Sequence, residues 1–393
     1  MKPSSSKWIF LGLTAVGAGT FLVQALGEHP ERAWQAYLIN FLVWSAIAQG
    51  AFLFSTIMHM AKARWSGPLS NLSESFVAFF PVSIGLFLVL YLGREHVFPW
   101  IHQDLHGKEV WLNIDFLFSR DLAALVILYG LGFAYLTQAL RLKLDPAQKG
   151  AWIRRLFAGG GNRGREDRIR SRKSILSFLY MLAFTVVLSL IGYDLVMAAD
   201  PHWYSTLFGA YSFVKAVYIG FGGLIILAAA LHLQKDNGFE LPSSHFHDIG
   251  KLFFAFCLVW ADFFYAQFVV IWYGNISEET AYIVERLYSS PWKVLAWGVF
   301  AVCFVIPFLV LLNRRVKTMP GFMMFFCAVI IAGMWAEHLL LLGPAMGHHA
   351  ESIPVGVTDI LITGGFLGLM GIAITGYLSL FPELFRLKPE EAH

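Results

Sequence analysis

Asp121, Asp194, Lys215, Asp262 and Glu337 are ionisable residues set inside apolar runs long enough to cross a bilayer. An ionised group in hydrocarbon is costly, so such residues usually face a bundle interior and serve protons, ions or a polar head group. Counted from the ends of their runs at ~1.5 Å per residue, Asp121, Asp194, Lys215, Glu337, His338 and Asp359 fall near one membrane boundary. Asp262 falls at mid-depth, and Glu74, His59 and His232 fall toward the opposite boundary. The pattern predicts a polar pocket on one side and a sparser trail to the other.

Each of these residues also has a plainer reading. Lys215 can pair with Asp194 or Glu337 as a bridge between helices. Glu74, His59 and His232 can be solvated or snorkelling at the interface. Glu337 and His338 are adjacent and point to different helix faces, so only one need line a pocket. Asp262 resists such a reading, because a carboxylate at mid-depth must be neutralised or paired. It is assigned to a proton path together with Glu74, Lys215, Glu337 and His338.

The elements that position these groups follow from composition. The chain has 57% hydrophobic and 14% charged residues and a mean hydropathy of +0.61. Soluble domains carry about a quarter charged residues. The net charge of +3 is too small to imply a nucleic-acid partner. Apolar runs near the ~20 residues of a spanning helix lie at 8–26, 34–60, 72–91, 116–140, 174–199, 207–233, 249–273, 291–312, 320–342 and 357–380. Trp8, Trp34, Trp65, Trp100, Trp111, Trp203, Trp272 and Trp292 lie near run ends, as an aromatic belt would. Lysine and arginine concentrate in alternate loops, above all in Arg141–Lys173. The positive-inside rule therefore puts both termini in the cytoplasm, and the expected location is a bacterial inner membrane.

The basic stretch Gly159–Lys173 lacks the G-K-[ST] ending of a phosphate loop and reads as a solvated, topology-setting segment near anionic lipid. Cys257, Cys303 and Cys327 are not spaced for a disulfide framework, a zinc site, an iron–sulfur cluster or covalent haem. They read as small core residues. On the outer side, Arg94–Arg120 holds His96, His102, His106, Trp100 and Trp111. Asn275–Ser290 reads as a surface helix with a capping box from Asn275 and Glu278 and a shared face of Ile283 and Leu287. Folded outer loops suit docking of an extracytoplasmic partner.

The segments Asp194–Gly209 (DLVMAADPHWYSTLFG), Trp34–Asn40 (WQAYLIN), Trp111–Arg120 (WLNIDFLFSR) and Ile271–Thr280 (IWYGNISEET) carry a resemblance. With Phe254, Phe256, Trp260 and Gln267, they resemble the NrfD/polysulfide-reductase membrane-subunit family. The likeness is nearest to the quinone-interacting subunits of alternative complex III and of the Qrc menaquinone reductase complex. It implies an all-α, polytopic fold of about ten transmembrane helices, with two four-helix bundles and two peripheral helices. The corresponding divisions are residues 1–33, 34–200 with the basic loop 141–173, 201–345, and 346–393. It also implies a quinone, menaquinone or ubiquinone, as substrate and no covalently bound cofactor. The implied partners are an extracytoplasmic iron–sulfur subunit, a cytochrome c-type subunit, other membrane subunits and lipid. His96 and Asp121 match the histidine and acidic residue of the family's outer pocket, with Arg120 and Asp194 as neighbours.

The residue types suit that chemistry. Quinol oxidation releases two electrons and two protons. A histidine can bond one oxygen and exchange a proton near neutral pH, and a buried carboxylate can serve the other. Tyr91, Phe98, Trp100 or Trp44 could supply flat walls. Two other readings stand beside this one. A proton- or ion-coupled secondary transporter built as a five-plus-five inverted repeat would use Pro81 and Pro307 in corresponding helices. A b-type haem anchor would use His96 with His338, or His59 with His232.

Overall fold

The computed structural model describes residues 3–385, apart from 104, 106, 145–162, 235–237 and 347–352. Parts of the basic loop 141–173, His106, and the expected cytoplasmic residues Lys2, Lys235, Arg386 and Lys388 lie outside the described residues. Ten helices are long and apolar enough to span a membrane, and the described residues are otherwise turns, short helices and loops. The chain is an all-α, multi-pass membrane protein.

In chain order the spans are Pro3–Ala25, Pro30–Met60, Gly67–Val97, Ile114–Lys143, Arg163–Leu195, Phe208–Leu233, Ser243–Gly274, Trp292–Leu311, Pro320–Met346 and Val357–Leu380. They are called the first to tenth helices below. The fourth extends to Lys143 and the fifth begins at Arg163, so both ends of the expected basic loop are helical. Local chemistry sets several ends. Pro30 opens the second helix, where its missing N–H costs nothing. The Asn113 side chain caps the fourth helix by accepting from the Phe116 amide at 3.1 Å. The surface helix predicted after the seventh is present as Ser277–Leu287. Its expected capping box is not. Asn275 takes a left-handed conformation (φ 47°) that ends the seventh helix, and Ile276 stands at the N-cap.

The third and eighth helices are each irregular just before a proline. Residues Ser75–Phe79 wind as a 3₁₀ segment ahead of Pro81, and Ala301–Val305 as a π turn ahead of Pro307. A proline frees the carbonyl four residues earlier. In the eighth helix that carbonyl is Cys303, and it accepts from the Tyr218 hydroxyl at 3.2 Å.

The second helix packs on the third and fifth, the fourth on the fifth, and the sixth on the seventh and ninth; the sixth also packs on the second and fifth, with the second and sixth crossing at the centre. A Cβ on Gly220 would lie 2.3 Å from the Gly50 carbonyl carbon, so this crossing is backbone on backbone. The first and tenth helices pack on each other through Gly17 and Gly365, and flank the second helix. The tryptophans divide. Trp8, Trp111 and Trp272 are exposed as a belt requires, but Trp34, Trp100, Trp203 and Trp292 are buried packing residues.

With ten spans, both ends of the described chain lie on one side, called the terminus side. The 94–113 and 196–207 segments and the Ser277–Leu287 helix lie on the other, the loop side.

Candidate functional site

On the loop side, Arg120 and Asp194 form a buried, two-point ion pair. Arg120 Nε donates to Asp194 Oδ2 and Nη2 to Oδ1, both at 2.7 Å. The Trp111 indole N–H donates to Oδ1 at 3.0 Å, and the Arg120 guanidinium lies 3.9 Å from the Trp111 ring centroid. Asp194 thus accepts from three donors. Asp121 is the next residue after Arg120, turned about 100° around the helix by its 3.6-residue period, and points inward. It is fully buried, close enough to Asp194 and Arg120 to interact with both. Among the described residues, neither of its oxygens has a hydrogen-bond donor.

An aromatic cluster lies one helical turn from this carboxyl. Phe118, one turn earlier on the fourth helix, has the rings of Tyr91, Phe87 and Phe98 at 5.0, 5.1 and 5.9 Å. Trp100 packs on Phe98 at 5.5 Å, and its buried indole N–H has no acceptor. Tyr91 donates to Asp115 at 3.1 Å. His96 is half-buried on the helical turn Arg94–Val97, which packs against the second helix. Trp44, considered for the same wall, donates to Asn40 on its own helix.

Deeper in, a cavity of about 40 Å³ opens between the second, fourth, fifth, sixth and ninth helices, with Ser45, Gln49, Ser212, Lys215 and His338 among its lining residues. Such a volume holds about three waters and is far below that of a quinone or haem pocket. Leu125, one turn below Asp121, and Ile191, one turn below Asp194, also line it. Lys215 pairs with Glu337 at 3.2 Å, not with Asp194. His338 donates from Nδ1 to the Met334 carbonyl at 2.9 Å. Both Glu337 and His338 are buried, and of the two His338 lines the cavity.

Two separate hydrogen-bonded groups lie beyond the cavity. Ser45 and Ser83 are 2.7 Å apart, Ser83 and Tyr129 2.7 Å, and Gln49 donates to Tyr129 at 2.6 Å. Toward the terminus side, Ser55 meets Tyr135 and Glu74, each at 3.0 Å. Lys143 donates to both Glu74 oxygens at 2.8 and 2.7 Å. Glu74 is therefore buried and paired, not solvated. His59 is bonded to Ser174, and His232 accepts from the Leu241 amide.

The model of the family described as polysulphide reductase, NrfD matches residues 26–347. The chain belongs to the NrfD family. Membership makes it a membrane subunit of the oxidoreductase-complex kind, whose relatives interact with quinones and associate with iron–sulfur subunits. A comparison with curated proteins found no match.

Within this NrfD chain, one assigned residue leaves the site. Asp262 is exposed on the outer surface of the seventh helix and, among the described residues, has no hydrogen-bond or ion-pair partner. Periodicity could place it at mid-depth but could not tell the inward face from the outward one on a helix apolar all round. Other members were not singled out from sequence: Ser45, Gln49, Ser83, Tyr129, Ser55, Tyr135 and Lys143. The signal available was the run of small polar residues at 45, 49, 55 and 56 in the otherwise apolar second helix.

Proposed function

We propose that this chain binds and oxidises or reduces a quinone at its loop side, in contact with an extracytoplasmic iron–sulfur partner. One observation carries the reading: a fully buried Asp121 carboxyl that has no donor among the described residues stands beside an Asp194 held by three, one helical turn from the aromatic cluster around Phe118. A quinol hydroxyl supplies the missing donor. As the two electrons leave to the partner's cluster, that proton passes to the Asp121 carboxylate. His96, on the rim, takes the second proton from the other hydroxyl. Reduction runs the same exchange backward. Tyr91, Phe98, Phe118 and Trp100 hold the flat ring, and Arg120 fixes Asp194 so that its charge stays off the substrate.

The chain Lys215, Glu337 and His338, then Ser45, Ser83, Tyr129 and Gln49, then Ser55, Tyr135 and Glu74, supports a proton route from this pocket toward the terminus side. By the lysine and arginine distribution that side is cytoplasmic, in a bacterial inner membrane. The divisions 1–33, 34–200, 201–345 and 346–393 are kept as part of this proposal. A cytochrome c-type subunit completes the proposed electron path. The transporter reading draws on the paired breaks before Pro81 and Pro307, but the Cys303 carbonyl freed by Pro307 is bonded within the protein.

A photoreactive short-chain quinone added to the assembled complex tests the site. Labelling should fall within residues 87–121. Labelling confined to other helices would remove the pocket.

A further inference from the structure

The seventh helix carries a carboxylate where lipid would otherwise be. Trp272 and Tyr273 are 61% and 84% exposed and mark the loop-side interface, as aromatic belts do. Asp262 lies ten residues below Trp272, about 15 Å at a helical rise and so near the middle of a ~30 Å hydrocarbon core. The side chains one turn away on the same face, Leu258, Val259 and Tyr265, are exposed as well. An aspartate is too short to reach either interface, unlike a snorkelling lysine. Facing lipid, the group would be expensive, and intramembrane carboxylates are almost always paired.

We propose that this face of the seventh helix is an interface for a transmembrane helix of a different subunit, which presents a lysine or arginine to Asp262 at mid-depth. The partner's charge follows from complementarity: a cation supplies both the opposite charge and the hydrogen-bond donors that the carboxylate lacks among the described residues. A second copy does not fit. Among the described residues no lysine or arginine is exposed at mid-depth, because Lys215 is buried and the other cations sit near the helix ends. Two copies would bring Asp262 against Asp262 or against apolar side chains. The inference rests on the membrane placement of the seventh helix and not on the quinone reading.

Site-directed photo-crosslinking in native membranes tests it. A photoreactive amino acid placed at Tyr265 or Leu258 should give an adduct with a second, different polypeptide, on a peptide that contains a transmembrane lysine or arginine. The same group at Val126, exposed on the fourth helix, should give none. Asp262→Leu should remove that polypeptide from the detergent-extracted complex while this chain stays at its normal level in the membrane. Asp262→Leu in this chain together with the partner's cation changed to leucine should restore it. Adducts with lipid alone, adducts with a second copy, or an Asp262→Leu complex of unchanged composition would each overturn the proposal. Quinone labelling of residues 87–121, read in the same preparation, reports separately on the pocket.

Discussion

Asp121 and Asp194 stand side by side in the membrane, and only Asp194 is answered. Two Arg120 nitrogens and the Trp111 indole donate to it, while, among the described residues, no donor reaches either buried oxygen of Asp121. The asymmetry divides the labour: one carboxylate holds the helices and loop together, and the other is left open to chemistry.

The first prediction concerns the structural member. Arg120→Gln leaves a buried Asp194 without its cation, and breaking such a pair costs about 3–5 kcal/mol. Thermal unfolding in detergent should show a large loss of stability. Adding Asp194→Asn to Arg120→Gln should recover much of it, since two neutral amides leave no uncompensated charge. A double variant as unstable as the single one would mean that the pair contributes mainly by shape.

Helix packing gives a contrast between two glycines. Gly220→Ala forces a methyl into the Gly50 backbone and should separate the second and sixth helices, with loss of folded protein. Gly130→Ala meets nothing within 4 Å and should be neutral or stabilising by up to ~1 kcal/mol through helix propensity. Yields and melting temperatures of the two variants check this.

Tyr218→Phe removes the hydroxyl that satisfies the Cys303 carbonyl freed by Pro307. The loss should be about 0.5–1.5 kcal/mol, the net worth of one hydrogen bond. It should leave quinone-linked turnover unchanged, because the bond lies in the group of the sixth to ninth helices, away from the pocket. A fall in turnover at normal stability would tie the eighth-helix irregularity to function.

For the proton route, Glu74→Gln keeps the shape at the terminus side but removes the ionisable group paired to Lys143. Liposome-reconstituted complex should then show slower or altered proton uptake from the terminus side, with electron transfer measured alongside. Unchanged proton stoichiometry and rate would return Glu74 to a purely structural role.

The fold was legible in the sequence because span length and hydropathy are one-dimensional properties. Ten runs, the surface helix at 277–287 and the breaks at Pro81 and Pro307 could all be located from residue order. Facing was not legible. A helix such as the seventh is apolar around most of its circumference, so nothing local distinguishes Asp262 on its outer face from Glu337 on the inner face of the ninth. Pair identity was equally hidden. Asp194 and Lys215 lie at similar depth, and only packing shows that Arg120 takes the first and Glu337 the second. The small polar residues of the second helix were visible but ambiguous, because serine and threonine also bond their own helix backbone, as Thr56 does with Leu53.

Under the proposed function, Asp121 is the proton acceptor for the quinone substrate. The most direct test is steady-state electron transfer between a soluble quinol analogue and the partner subunits in assembled complex carrying Asp121→Asn. With subunit composition and melting temperature unchanged, the account predicts a fall in turnover of at least ~100-fold, the lower range for removal of a positioned acid–base group. Turnover within a few-fold of the unsubstituted complex would contradict it.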